Sequence, residues 1–296
     1  ASSDEPNLLF NSWHSLHWEE EEVLPILVER YSSQEPIRNA LPRMMEWLKS
    51  NEIQCGGEFW SEILLLITTD EIQDMRTLPF AREIMESFFD SPHTSKQIKE
   101  VLDCARTIIE NLGAKKSINS VLDLCDLLIS VAMPKDQEKE RIGVWSVALQ
   151  KILECWGGLP KNTKNFAKFI GEAYGDSVGV FPTETVDEAN ETIVYPSKRI
   201  AIYSLELPRA ERAAKYLKEQ YENLVVETNG DKVNTPKLEQ LAKTADLFVF
   251  CSQVAKHQAF YSASKVVKKL GKSLVFPDGK GTSSIISKVE SELGYT

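Results

Sequence analysis

Arg199-Ile-Ala-Ile-Tyr-Ser204, Leu224-Val-Val-Glu-Thr228, Asp246-Leu-Phe-Val-Phe-Cys251 and Ser273-Leu-Val-Phe276 are four short segments whose reading decides the fold. Three of them are apolar on both alternate positions, the pattern of a strand covered on both faces. Between and after them run segments with helical spacing: Pro208–Tyr221 with proline in its first turn, Thr235–Thr244, Val254–Leu270 closed by Gly271, and Thr282–Leu293. Strand alternating with helix predicts a parallel sheet with helices on both sides. Right-handed crossovers make it a small doubly wound sheet, flavodoxin-like or Rossmann-like.

Upstream the pattern changes. From about Leu16 to Tyr174 apolar residues recur every three or four positions, which predicts seven or eight helices and almost no strand. Ile98, Val101, Leu102, Asp103 and Cys104 are echoed by Ile118, Val121, Leu122, Asp123 and Cys125, which leaves helical-hairpin repeats open beside an irregular bundle. Gly175–Ser197 is acidic, rich in Gly, Pro and Thr, and reads as a linker with a short strand at Ile193–Tyr195. The fold class expected is therefore α + α/β: an all-helical domain over 1–174, a linker over 175–197, and a doubly wound α/β domain over 198–296.

Charge divides the same way. The whole chain carries 34 Lys+Arg against 44 Asp+Glu, net −10. Residues 198–296 hold 16 basic and 11 acidic residues, net +5, leaving 18 against 33, net −15, for residues 1–197. An acidic surface repels nucleic acid, whose binding rests on phosphate neutralisation, so the C-terminal part is the one suited to an anion. Cys55, Cys104, Cys125, Cys155 and Cys251 are scattered singly in apolar patterns and read as free thiols of a reducing, cytoplasmic compartment. No apolar run approaches the ~20 residues of a membrane span, so no membrane partner is expected. Ala1-Ser2-Ser3 opens the chain without methionine, as a processed protein or an excised fragment would.

Ligands of such sheets sit at the carboxyl ends of the strands, so the loops at Ser204–Leu207, Asn229–Val233, Ser252–Lys256 and Pro277–Gly281 hold the candidate chemistry. The first contains no glycine, which removes the dinucleotide fingerprint. A phosphoacceptor site is disfavoured too, because the third strand ends Phe250-Cys251-Ser252 and only Glu206 lies near the first. The fourth loop reads Asp278-Gly-Lys-Gly-Thr-Ser-Ser284 and enters a helix. Lys280, the backbone N–H groups of Gly281–Ser284, the hydroxyls of Thr282 and Ser283 and the helix dipole can converge there on one anion. A glycine turn with a Ser/Thr cap explains the same letters. Ser252, Lys256 and His257 approach from the neighbouring loop, with His257 in the first turn of its helix. Lys265, Lys268 and Lys269 further along read as a solvated face, and Cys251 as a buried, inert thiol.

Elsewhere, Trp47, Trp60, Trp145 and Trp156 read as core. Trp13 and Trp18 flank His14 and His17 in a segment too polar for a core and read as a partner surface. His14 and His17 lack a third strong ligand, so no metal is expected, and no cofactor. His93, beside Pro92, reads as a surface residue.

Residues from about Arg199 to Glu290 resemble a family of bacterial Rossmann-like domains known as domain of unknown function 2325. The resemblance is carried by Asp246-Leu-Phe-Val-Phe-Cys-Ser252 with His257 close behind, by Val-Val-Lys-Lys-Leu-Gly-Lys272, and by the Gly281–Ser284 turn. It implies a fold, a bacterial source and a place to look, at His257 and Gly281–Ser284, and no activity. The expected function is a non-enzymatic accessory or adaptor protein. Its helical part would bind a protein partner and its α/β part a nucleotide or nucleic-acid phosphate. The alternatives are a nucleotide-messenger sensor and a hydrolase-type enzyme using His257.

Overall fold

The computed structural model describes residues 20–30, 35–69, 77–112, 117–176, 180–182, 196–251, 257–279 and 281–295, with backbone alone at 20–22, 35–38, 257 and 258. It is mostly helical, with one small four-stranded parallel sheet among the described residues. Its contacts divide the chain into two compact units, 1–151 and 152–296.

The first unit contains α1 (Glu20–Arg30), α2 (Glu35–Ser50), α3 (Gly57–Thr68), α4 (Thr77–Phe89), α5 (Ser95–Asn111), α6 (Ile118–Ser130) and most of α7 (Glu138–Cys155). Helix α5 starts at a capping box: the Thr94 hydroxyl accepts from the Gln97 amide while the Gln97 side chain accepts from the Thr94 amide. The two echoed patterns are the buried faces of successive helices, Ile98, Val101, Leu102 and Cys104 on α5 and Ile118, Val121, Leu122 and Cys125 on α6. Alternate helices are neighbours: α3 packs on α1 and α5, and α4 on α6. Arg82, 4 % exposed, ties α4 to α6 by donating from Nε to the Asp123 carbonyl at 3.2 Å while pairing with Glu86 at 2.8 Å. Trp47, Trp60 and Trp145 are buried, as expected. His93, read as a surface residue, is half-buried. Its ring lies 4.7 Å from Phe88 and 5.8 Å from Phe89, and its Nδ1 is 2.6 Å from the Ser91 carbonyl.

The second unit opens with the end of α7, a 3₁₀ turn at Trp156–Gly158 and α8 (Lys161–Ala173). Then follow β1 (Lys198–Tyr203), α9 (Leu207–Gln220), β2 (Leu224–Asn229), α10 (Pro236–Thr244), β3 (Leu247–Phe250), α11 (His257–Lys269), β4 (Ser273–Val275) and α12 (Thr282–Leu293). All strand pairs are parallel and the order is β2-β1-β3-β4. Strand pleat sorts the core. Ala201, Tyr203, Phe248 and Phe250 pack with Leu238, Ala242, Ala259, Ala263 and Val267 of α10 and α11. The alternate residues Ile200, Ile202 and Val249 occupy the other face, where α9 and α12 pack on each other.

Helix α8 belongs to this unit by packing. Phe166 and Phe169 meet Tyr216 of α9 edge-on at 5.6 and 5.4 Å. Within the segment read as a linker, Phe181 is buried, its ring 5.2 Å from Trp156. The strand expected at 193–195 lies outside the described residues. No helix among the described residues is long and apolar enough to cross a membrane.

Candidate anion-binding site at the strand ends

The parallel register brings the carboxyl ends of all four strands to one edge. At the end of β1, Ser204 is 2 % exposed, and its Oγ accepts from the Glu206 amide at 3.1 Å. Glu206 pairs with Arg209 one turn into α9. Cys251, at the end of β3, shares this pocket of polar groups. Burial pushes its thiol up to about 12, with the Ser204 hydrogen bond and Arg209 opposing and Glu206 adding to the rise. The sulfur therefore stays a neutral thiol at pH 7, a poor nucleophile.

At the end of β2 a second network closes. Asn229 is 2 % exposed; its Nδ2 donates to Asp231 Oδ2 at 2.8 Å and its Oδ1 accepts from the Asp231 amide at 3.0 Å. The Thr235 hydroxyl donates to the same carboxylate and accepts from the Leu238 amide at 3.2 Å, capping α10. Tyr203 donates from its phenol to the Asp231 carbonyl at 2.8 Å. The hydrogen bonds of Thr235, then Asn229, hold the Asp231 carboxyl below the usual carboxylate range. Gly230 lets the first two loops close on each other, since a Cβ there would stand 3.0 Å from the Ser204 carbonyl oxygen. The β1 and β2 ends are thus satisfied largely by their own neighbours.

The β4 end is built differently. A Cβ on Gly279 would lie 2.6 Å from Ser284 Oγ, so a side chain there would oblige that hydroxyl to turn aside, and the turn lies against the first turn of α12. Gly281 is the N-cap of α12, extended at φ −77° and ψ 161°, and makes no side-chain cap. The Ser/Thr cap offered by the sequence is therefore not the one this helix uses. Gly281 and Thr282 are buried, and Ser283 and Ser284 are half-buried. These four residues share one helix N-terminus, where amides point outward along the positive end of the dipole.

His257 is the first residue of α11, with its side chain outside the described set. Ser252, Lys256 and Lys280, together with Trp13 and Trp18, lie outside the described residues. Among the described residues no three His, Cys, Asp or Glu side chains are grouped to hold a metal ion. Sequence reading named the Asn229–Val233 loop and missed its network, because Asn-Gly-Asp reads as a turn whether or not its side chains bond inward.

A largely helical chain carrying a small four-stranded parallel sheet is the class that these features define. Residues 4–288 match the model of the DpdD-like family, and the chain belongs to that family. Part of it is also similar to UPF0751 proteins of Desulfitobacterium hafniense. One from strain Y51 is 34% identical over 65 residues, which are 22% of this chain and 64% of that relative. One from strain DSM 10664 / DCB-2 is 32% identical over 65 residues, again 22% and 64%. The chain spans under two thirds of the length of these relatives. No solved structure matches it.

Proposed function

We propose that the chain is a non-enzymatic accessory or adaptor protein whose α/β part, residues 198–296, is a Rossmann-like domain holding a phosphate-bearing ligand at the Gly281–Ser284 turn. The observation that carries this reading is the construction of that turn. Gly279 lies against Ser284 in the first turn of α12, and the capping Gly281 carries no side chain to cap the helix itself. A phosphate accepts what such a helix start donates. Lys280 and His257, adjacent in sequence to the turn and at the start of α11, are proposed as its charged partners, with Ser252 and Lys256 beside them. The net charge of +5 over residues 198–296 favours the same ligand. Alternate-helix packing in the first unit supports stacked helical hairpins, a form that offers extended surfaces to protein partners. Trp13 and Trp18 are proposed as part of that partner surface. The order and spacing shared with domain of unknown function 2325 support the Rossmann-like assignment without adding an activity.

The test is calorimetric titration of the full chain with mononucleotides. Removing a charge-assisted hydrogen bond costs ~1.5–3 kcal/mol, so Lys280→Ala and His257→Ala should each weaken binding about tenfold or more. Unchanged affinity in both variants would overturn the site.

A further inference from the structure

Helix α11 has two faces of opposite character. Ala259, Ala263 and Val267, at four-residue spacing, are buried in the sheet's core. Tyr261, Lys265, Lys268 and Lys269 occupy the outward face, and all four are exposed, Tyr261 at 65 %. From Asp246 to Asp278 the chain contains five lysines and no carboxylate side chain between those two aspartates. Among the described residues none of Lys265, Lys268 and Lys269 pairs with a carboxylate. Lysines near a helix C-terminus complement the dipole, which accounts for Lys268 and Lys269. It accounts for neither Lys265 in mid-helix nor an exposed aromatic ring two turns from that end.

The neighbouring helix α10 extends the basic surface. Lys237 and Lys243 are exposed there, and Lys243 pairs with Glu239 at i,i+4. Lys272, just past α11, donates from Nζ to the Lys243 carbonyl and so keeps its charge beside the row. Tyr261 is joined to the core through Phe260, 5.7 Å away, whose ring lies 4.9 Å from Phe250 and 6.1 Å from the 40 %-exposed Phe276. An exposed ring anchored on a rigid aromatic cluster is a preformed stacking platform. Four helical residues rise ~6 Å, so the row presents cations at regular intervals along a line.

We infer that the outer face of α11 is a binding track for single-stranded nucleic acid, with a base stacked on Tyr261 and the backbone following Lys265, Lys268 and Lys269. Aromatic platforms beside cationic rows bind single strands with little sequence preference, because every base has a π-face and every nucleotide a phosphate. A duplex fits worse, since its bases are stacked on one another and unavailable to a ring approaching from the side. This track runs along α11, which packs with α10 on one face of the sheet while α12 packs with α9 on the other, so it can stand or fall independently of mononucleotide binding at the Gly281–Ser284 turn.

The experiment uses the full chain and a fluorescein-labelled deoxythymidylate strand of about 20 nucleotides, read by anisotropy over a range of salt. Single-strand binding weakens with salt at a log–log slope of roughly −0.7 per neutralised phosphate, so replacing Lys265, Lys268 and Lys269 by Gln should flatten the slope by about 2. Tyr261→Ala should weaken binding about fivefold or more with little change in slope. Replacing the three lysines by Arg should retain binding. All four side chains are exposed, so melting temperatures should match the wild type, and a glutamine variant that melts early is set aside in favour of Tyr261→Ala and the arginine variant. The inference is overturned by absence of binding at low salt, by wild-type affinity in both the glutamine and Tyr261→Ala variants, by equal or tighter binding of a duplex of the same length, or by polyglutamate competing as well as the strand. Loss of mononucleotide binding in Lys280→Ala with strand binding intact would leave this track standing and confine that residue to the turn.

Discussion

Replacing Tyr216 by Phe should stabilise the second unit. Tyr216 is fully buried in α9, with Phe166 and Phe169 against its ring, yet its hydroxyl has no hydrogen-bond partner among the described residues. Burial, followed by the nearby Glu290 carboxylate, pushes the phenol well above its ordinary range. An unsatisfied buried hydroxyl costs ~1–3 kcal/mol. Deleting one oxygen forfeits only its dispersion contacts, ~0.1–0.2 kcal/mol apiece. The ring geometry is kept, so the net gain should be about 1–2 kcal/mol. At ~2–4 °C per kcal/mol for a unit of this size, the thermal transition followed by circular dichroism should rise by ~2–8 °C. A fall of similar size would refute the reasoning. It would mean that the hydroxyl is satisfied through a buried water, with Glu290 Oε2, also without a partner, as the natural second contact. A double-mutant cycle with Glu290→Gln would then show coupling instead of additivity.

Glu290 itself gives a pH prediction. It is fully buried; its Oε1 accepts from the Tyr221 phenol at 2.8 Å and Asn162 nearby also favours the charged form, but burial outweighs both and raises its pKa. The folded chain then holds this proton to higher pH than the unfolded chain, so this group's effect on stability is nil below the unfolded pKa and becomes unfavourable as pH climbs through the folded one. Glu290→Gln should therefore gain on the wild type across that window by ~1.4 kcal/mol per unit of displacement, and denaturant titrations showing a constant difference from about pH 4 to 8 would contradict it. Limited proteolysis should cut within residues 175–197, which the sequence reads as a linker, and because Phe166 and Phe169 are packed on Tyr216, the nicked pieces should co-elute in native gel filtration. Separation of a free C-terminal fragment would show that α8 does not hold the sheet.

Local signals carried most of the fold. The four strands and their helices fall within a few residues of where periodicity places them, since apolar runs covered on both faces and caps such as Thr235 are decided by near neighbours in sequence. His93 is covered more than its neighbour Pro92 suggests, because Phe88 and Phe89, five and four residues earlier, fold back to meet its ring. The candidate site was legible at Gly281–Ser284, where glycine spacing before a helix is itself the signal. It was illegible at Ser204 and Asn229, because whether a strand-end polar group faces inward depends on the loop that closes over it. Lys265 looked like an ordinary solvated position, and only the exposure of Tyr261 on the same face gives that row another meaning.

The grouping of α8 with the sheet had one trace in the sequence, and it lies far from α8. Glu290 occupies a position in α12 that the spacing of Ile285, Ile286 and Val289 assigns to the buried face. A carboxyl buried there without partners costs several kcal/mol, so a glutamate in that register requires donors arriving from elsewhere. Tyr221, 69 residues away at the end of α9, donates to Oε1, and Asn162 at the start of α8 lies close enough to favour the charged form. The amphipathic pattern of Lys161–Ala173 says only that one face is covered, and it would read the same against any partner. What identifies the partner is the unexplained acid in α12 together with a polar residue at the head of α8 and two phenylalanines below it, all converging on Tyr216 and Glu290. A buried charge thus carries long-range information that apolar periodicity does not, because its satisfaction demands particular groups instead of mere coverage.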